Sequence, residues 1–468
     1  MPSRYEHMLN AVVEEVLRRL KASGTAARQE PIFRNVSDAV DASVRAQAEW
    51  AETPKEVKKT VVAALRKVMH DHAEDLARRE LDETGLGHYQ DKVTKIHNAA
   101  EHTPGFEDLE IHSWTGDKGL VYDGYAPYGV VAAITPSTHP VPVLFNSLLI
   151  ITVPGNSVVF NVHPAGKDVS AHAARIFDRV IQENGGPANL LTVLEEPTFE
   201  GASELFRHPA VSLIVATGGP ALVKAAFASG KKVVAAGPGN PPVLVDATAS
   251  LRDAARSIID GASFDNNILC IAEKEAFVVE SVYDQFMDAM AAEGAVRLTE
   301  EQIKLLASKV FVTGPDGAEF INKEYMGKDA SVLARLAGVH VQENVRLLYG
   351  EAQFTCKFVQ HEQMMPYLPV VRVADAMEGI RLAAEAEHGY HHTAMIHSND
   401  LDTITRFARA LDTSIVVVNG SSLAGLGGMT GEGTFSHTIA SPTGEGVTTP
   451  RNYARVRRLA FAKTLQIT

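Results

Sequence analysis

Short apolar runs alternate with helix-patterned stretches along most of this chain, and few architectures tolerate that alternation. Runs at 129–135, 157–161, 212–216, 232–236 and 242–245 read as strands, too short for helices and rich in Val, Ile and Ala. Between them, 167–184 and 220–229 carry helical spacing. Strand and helix in regular succession argue for α/β architecture, a parallel sheet wrapped by helices. A second series runs from Cys270 to about Gly420, with strands at 276–279, 370–373, 393–397 and 415–419. The segment 37–79 reads as helical and charged. Around 122–128 the chain turns strand-like, as in a hairpin leaving the body, and the tail past Thr438 has no clear helix period. A length of 468 residues suggests two or three domains.

Charge and cysteine content exclude several function classes. The net charge of −13 is spread along the chain, which argues against nucleic acid as a partner. Two cysteines build no disulfide framework, and no Cys/His spacing suggests a metal, so a reducing, intracellular setting is expected. No secretory signal is expected, because Glu14, Glu15, Arg18 and Arg19 interrupt the first twenty residues. The most apolar stretch, 141–160, contains Asn146, Pro154, Gly155 and Asn156 and reads as buried core rather than a membrane span.

Residues 5–20 read as an amphipathic helix of their own. Leu9, Val12, Val13, Val16, Leu17 and Leu20 share one face, and a small, polar linker follows at 21–30. So short a tethered helix needs a partner surface, either the body of its own chain or another protein.

Cys270 lies in Ser263-Phe-Asp-Asn-Asn-Ile-Leu-Cys-Ile-Ala-Glu-Lys274, a polar loop leading into a strand. A thiol there is placed to act as a nucleophile, although a lone cysteine is also a common core residue. Ser212-Leu-Ile-Val-Ala-Thr-Gly-Gly-Pro220 reads as strand, tight turn and helix start, where backbone N–H groups offer a pyrophosphate site or simply make a turn. Gly425-Leu-Gly-Gly-Met-Thr-Gly431 lacks the Lys and Ser/Thr of a phosphate loop. The cluster His388-Gly-Tyr-His-His392 reads as structural or substrate-adjacent rather than metal-binding.

Together these pieces resemble the aldehyde dehydrogenase superfamily from about residue 30 onward. The resemblance is strongest to its CoA-acylating branch, and there to the propionaldehyde and acetaldehyde dehydrogenases of bacterial microcompartments. Ile134-Thr-Pro-Ser-Thr-His-Pro140, Ala216-Thr-Gly-Gly219, Ala235-Ala-Gly-Pro-Gly-Asn-Pro241, the Cys270 segment and His361-Glu-Gln-Met-Met-Pro366 carry it, in the family's order.

The resemblance implies a Rossmann-type NAD-binding domain at 31–110 and 129–235 and an α/β catalytic domain at 236–437. It also implies a small β oligomerisation extension at 111–128 and 438–468, joining homodimers or homotetramers. Cys270 is implied as the nucleophile, with the oxyanion held by its backbone N–H and the Thr138 side chain. Thr135, Pro136, His163, Thr217, Gly218, Gly219 and Glu362 are implied at the NAD site, His163 beside the adenosine ribose and Glu362 at the nicotinamide ribose. Met364 stands where an aromatic is usual. Ala235 stands where hydrolytic members carry the glutamate that activates water, so transfer of the acyl group to CoA is favoured over hydrolysis.

The implied reaction converts a short aliphatic aldehyde, NAD and CoA into acyl-CoA and NADH, with propanal ahead of acetaldehyde. The competing readings are a hydrolytic aldehyde dehydrogenase with another base, and a dormant scaffold. The helix within 1–20 is then expected to dock on microcompartment shell proteins, inside a bacterial cytoplasm. No alcohol dehydrogenase module is expected after Thr468.

Overall fold

The computed structural model describes residues 30–314, 319–428 and 430–466. The helix expected at 5–20, and the linker up to residue 29, lie outside the described residues.

Six parallel strands form the first sheet, in the spatial order Ile32–Phe33, Leu191–Leu194, Ser157–Asn161, Val130–Ile134, Val211–Thr217, Lys232–Ala236. The central strands Val130–Ile134 and Ser157–Asn161 are buried at every position. Burial on both faces is why they read as unbroken apolar runs rather than as alternation. Val36, Ala39, Leu205, Phe206, Val223 and Ala226 pack against one face. On the other lies the helix Pro140–Thr152, buried along its whole length. After Val130–Ile134 the next two strands are added on one side and Val211–Thr217 on the other. That reversal opens a crevice beyond the carboxyl ends of Val130–Ile134 and Val211–Thr217.

The second sheet has seven parallel strands: Val296–Arg297, Leu348–Glu351, Tyr367–Val373, Glu275–Val279, Pro242–Val245, Thr393–His397 and Ile415–Val418. The chain passes from the first sheet to the second through Gly237-Pro-Gly-Asn-Pro241.

Two local outcomes differ from the sequence pattern. The helical stretch at 37–79 is divided into Val36–Glu52, Lys55–Asp71 and Ala73–Thr84. Pro54 forces Thr53 into extended backbone and ends the first of these. The tail contains a long strand, Ala454–Ala462, which pairs antiparallel with Gly119–Pro127, itself in a hairpin with His112–Gly116. All but its first position are exposed, so no inward-outward alternation marked it in the sequence. Ile439–Ala440 and Gly446–Val447 instead pair with each other, and Ile439–Ala440 packs against Lys232–Ala236.

Candidate functional site

The loop carrying Cys270 has an uncommon backbone. Asp265, Asn266 and Asn267 have φ values of 47°, 54° and 66°, three successive non-glycine residues in the left-handed region. Asp and Asn tolerate that region better than other side chains, yet each still costs free energy that neighbouring contacts must offset. Those contacts are specific. The Asp265 N–H donates to Asp91 Oδ2 (2.8 Å), and Asp265 Oδ1 accepts from the His88 N–H (2.7 Å). Asn266 Nδ2 donates to Gly327 O (3.0 Å) and Asp329 Oδ1 (2.8 Å). Asn267 Nδ2 donates to Ala262 O (2.8 Å) and Glu273 O (2.9 Å). Gly87 must be glycine, since a Cβ there would lie 2.0 Å from Asp265 Oδ1.

Buried charge closes the arrangement. Lys95 forms an ion pair with Asp265, and Lys92 lies 2.8 Å from Glu80 and 3.6 Å from Asp265, all four side chains almost fully buried. Burial works against the charged form of Lys92, but Glu80 and Asp265 outweigh it and hold the ammonium above its ordinary range. Lys95 Nζ also approaches Thr138 O (3.4 Å), which ties the start of the Pro140–Thr152 helix to the Cys270 loop. From the other side Lys274 Nζ donates to Asn267 O (2.8 Å), Asn267 Oδ1 (2.6 Å) and Leu269 O (3.1 Å).

Cys270 is half-buried on the wall of a cavity of ≈ 210 Å³ that also contains Thr138, His139, Glu362, Met364, His437 and Ile439. Burial pushes its thiol up to about 12, and the Glu362 carboxylate adds to that, while Lys274 and the N–H groups of Cys270 and Ile271 act in the opposite direction. Burial raises the Glu362 carboxyl to about 7 against the pull of Lys274 and the Gly239 N–H. Burial brings the Lys274 ammonium down to about 8, opposed first by Glu362 and then by Cys270. The Gly237–Pro241 connection runs against Cys270, and a Cβ on Gly239 would meet Cys270 O at 2.7 Å.

A second cavity of ≈ 730 Å³ shares Pro136, Thr217, Gly218, Gly219 and Met364 with the first, and Thr135, Asn161, His163 and Lys323 line it as well. It occupies the crevice at the strand reversal. Thr135 Oγ1, Thr217 Oγ1 and Asn161 Oδ1 are buried without hydrogen-bond partners. Gly219 caps the helix Pro220–Phe227 without a side-chain bond, so the helix N-terminus faces the crevice uncapped. Orphaned polar atoms beside an open helix N-terminus suit an anionic, hydroxyl-rich ligand.

All nine residues singled out from the sequence thus line these two joined cavities: Cys270 and Thr138 the smaller, Thr135 and His163 the larger, Pro136, Thr217, Gly218 and Gly219 both, and Glu362 the smaller. The position of the absent base shifts by one. Ala235 is fully buried within the apolar cluster on one face of the first sheet, and Ala236 is the residue that lines the Cys270 cavity. Neither supplies a carboxylate. The histidine cluster at 388–392 divides: His388 and His391 are exposed, His388 facing Gln360 O (3.0 Å), whereas His392 is buried beside Thr393 Oγ1 (2.9 Å). Among the described residues no group of three or more His, Cys, Asp or Glu is arranged to hold a metal ion.

Sequence reading missed Lys95, Lys274, His139 and His437. A signal was present for Lys274, since Glu273-Lys274-Glu275 places three charges at the start of an apolar strand, where burial demands partners. Glu273 accepts from the Ser422 N–H (2.9 Å) and Oγ (2.8 Å), and burial raises its carboxyl to about 7.

The raised thiol pKa fixes a pH signature. Below its pKa the thiolate fraction grows about tenfold per pH unit. Iodoacetamide labelling of Cys270, followed on its own peptide by mass spectrometry, is expected to accelerate from pH 7 to pH 10 without a plateau. A plateau below pH 8 would mean a thiolate already formed in the resting protein.

Comparison with known proteins follows the same lines. Residues 20–300 match the model of the Aldehyde dehydrogenase family. The chain is 42% identical over 465 residues to the acetaldehyde dehydrogenase (acetylating) EutE of Escherichia coli strain K12, covering 98% of this chain and 99% of that protein. Among solved structures it is similar to a propionaldehyde dehydrogenase from the Clostridium phytofermentans fucose utilisation bacterial microcompartment. The TM-score is 0.91 and the identity 38%, over 94% of this chain and 100% of that one. It is likewise similar to a Rhodopseudomonas palustris propionaldehyde dehydrogenase with bound CoA and an acylated cysteine. There the TM-score is 0.91 and the identity 37%, over 94% of this chain and 100% of that one.

Proposed function

The chain belongs to the aldehyde dehydrogenase family, and on that footing we propose that it is a CoA-acylating aldehyde dehydrogenase converting a short-chain aldehyde, NAD and CoA into acyl-CoA and NADH. The observation that carries this reading is one thiol, Cys270, on the wall of a small cavity that shares lining residues with a larger crevice, with no carboxylate at Ala235 or Ala236. The Rhodopseudomonas relative, with CoA bound and its cysteine acylated, supports it.

In this mechanism the Cys270 sulfur adds to the aldehyde carbon. Glu362, with a carboxyl near neutrality in the same cavity, takes the thiol proton. The Cys270 N–H and the Thr138 hydroxyl stabilise the resulting oxyanion. NAD would supply the hydride acceptor for the thiohemiacetal carbon, and loss of that hydride would leave an acyl thioester on Cys270. Thr135, Pro136, Thr217, Gly218 and Gly219 would hold the dinucleotide in the crevice, the open start of Pro220–Phe227 would receive its pyrophosphate, and His163 and Glu362 would meet its adenosine and nicotinamide riboses. The CoA thiol then attacks the thioester carbon and expels the Cys270 sulfur, which regains its proton from Glu362 while the CoA thiol proton is released. Its own pKa makes it a far better nucleophile at neutral pH than water. The unit built on the first sheet is assigned to the dinucleotide, and the unit built on the second to the nucleophile.

Hydrolysis is the competing outcome, because Glu362 is a carboxyl near neutrality in that cavity. Product analysis with propanal and NAD separates the two. Propionyl-CoA formed in step with NADH, and little propionate when CoA is omitted, is the expected result; equal propionate without CoA contradicts it. Cys270→Ala is expected to abolish NADH formation.

We further infer assembly through the sheet of His112–Gly116, Gly119–Pro127 and Ala454–Ala462, into dimers or tetramers. Trp114, Val456 and Leu459 are exposed apolar side chains on that sheet. The amphipathic pattern at 5–20 and the microcompartment origin of the Clostridium relative support docking of residues 1–20 on shell proteins. Removing residues 1–20 should leave kinetics in solution unchanged and abolish co-localisation with shell proteins; retained co-localisation rejects the docking role.

A further inference from the structure

Lys274 stands apart from the other buried lysines. It is fully buried, yet unlike Lys92 and Lys95 it forms no ion pair among the described residues. Its ammonium donates to Asn267 O (2.8 Å), Asn267 Oδ1 (2.6 Å) and Leu269 O (3.1 Å), which uses all of its N–H groups. The root of the side chain is fixed as well. The Lys274 backbone N–H donates to Pro241 O (3.0 Å), and the Lys274 carbonyl accepts from Gln363 Nε2 (3.0 Å). A buried charge without a carboxylate in contact is costly, so a packing role alone would be filled better by an apolar side chain.

One of the three acceptors leads to the reacting atoms. Leu269 O and the Cys270 N–H belong to the same peptide unit, which is planar and trans, so the two groups point in opposite directions. A donor fixed on the oxygen therefore fixes where the N–H points. Leu269 O also accepts from the Ala272 N–H (3.2 Å), which helps to hold the peptide plane. The Cys270 N–H itself donates to no backbone carbonyl and acts on the Cys270 sulfur, as does the Ile271 N–H. A free N–H beside the nucleophile is what a developing oxyanion needs. A cation bonded to the carbonyl also polarises the peptide and makes its N–H a stronger donor. Burial brings the Lys274 ammonium down to about 8 against the pull of Glu362, Cys270, Glu275 and Glu273, so it stays largely protonated at neutral pH.

We propose that Lys274 is a positioning residue of the oxyanion site: by holding Leu269 O it aims and strengthens the Cys270 N–H that meets the substrate oxygen. The inference rests on the CoA-acylating reading and adds a residue to its machinery. Lys274 lines neither cavity and acts through one peptide bond. The adduct with the aldehyde and the later adduct with CoA both place negative charge on that oxygen, so both half-reactions depend on the same N–H. Between them the thioester carbonyl occupies the same place, and its stretching frequency falls as the N–H pulls on it more strongly. Loss of a whole oxyanion donor slows a reaction about 10²–10³-fold, and a misaimed, weakened donor costs a part of that.

The test uses Lys274→Met, which keeps most of the side chain's length without its charge or donors. Cys270 is acylated with propionyl-CoA, labelled or unlabelled with carbon-13 at the carbonyl, in the absence of dinucleotide. The infrared difference between the two samples isolates the thioester carbonyl band. That band is expected at higher frequency in Lys274→Met than in the wild-type protein, and the single-turnover rate of acylation by propionyl-CoA is expected to fall at least tenfold. If Lys274→Met does not fold, Lys274→Gln, which keeps an N–H donor but no charge, is expected to shift both readouts in the same directions. A band at the wild-type frequency in the folded variant, whatever its rate, overturns the inference and leaves the acylating reading intact, because a purely structural role does not act on the carbonyl. Failure of propionyl-CoA to acylate Cys270 in the wild-type protein overturns both.

Discussion

Four buried charges hold the catalytic end of this molecule together. Lys92 and Lys95 project from the helix Tyr89–His102 and meet Glu80 and Asp265 in an interior with almost no solvent exposure. Two positive and two negative groups balance there, which is the condition under which burial of ions is tolerated. The cluster contributes position more than stability. A pair of apolar residues would fill the same volume without fixing where Asp265 sits, and it is Asp265 that starts the left-handed run ahead of Cys270. Ion pairs of this kind are costly to break one partner at a time, because a charge is then stranded in the interior.

From that anchor the site follows in both directions. Lys95 reaches Thr138 O and so relates the start of the Pro140–Thr152 helix to the nucleophile loop, while Lys274 holds the same loop from below. The first sheet contributes the crevice at its strand reversal and the second contributes the loop that enters Glu275–Val279. Cys270 stands where the two meet. The resting thiol is held high by burial and by Glu362, so in the proposed reaction Cys270 becomes reactive through proton transfer within the cavity rather than by resting as a thiolate. A protonated thiol is also less exposed to adventitious oxidation.

Much of this was legible in the sequence, for definite reasons. Strands such as Val130–Ile134 and Ser157–Asn161 are buried on both faces, so their apolar runs identify them and the α/β class with them. The residues lining the two cavities lie in short motifs, and those motifs sit at strand ends, where parallel sheets place ligands. What escaped depends on partners distant in the chain. The strand Ala454–Ala462 takes its register from Gly119–Pro127 and shows no pattern of its own. Lys95 looks like one more surface lysine of an amphipathic helix until Asp265 is brought against it. His437 lies in a segment without periodicity, and only its approach to His139 marks it. Ala235 illustrates a finer limit: motif spacing finds the right strand, but which neighbour faces the cavity depends on how that strand is turned.

The measurement that bears most directly on this account is the single-turnover rate of NADH formation with propanal in Asp265→Asn, read alongside its unfolding in urea. The substitution keeps the side chain's shape and removes the charge that Lys95 and Lys92 face. The account expects a stability loss of about 3–5 kcal/mol, as for a broken buried ion pair. It also expects an acylation rate at least tenfold below wild type in protein that remains folded. Wild-type acylation together with wild-type stability would show that the buried charges neither hold the Cys270 loop nor matter to the reaction.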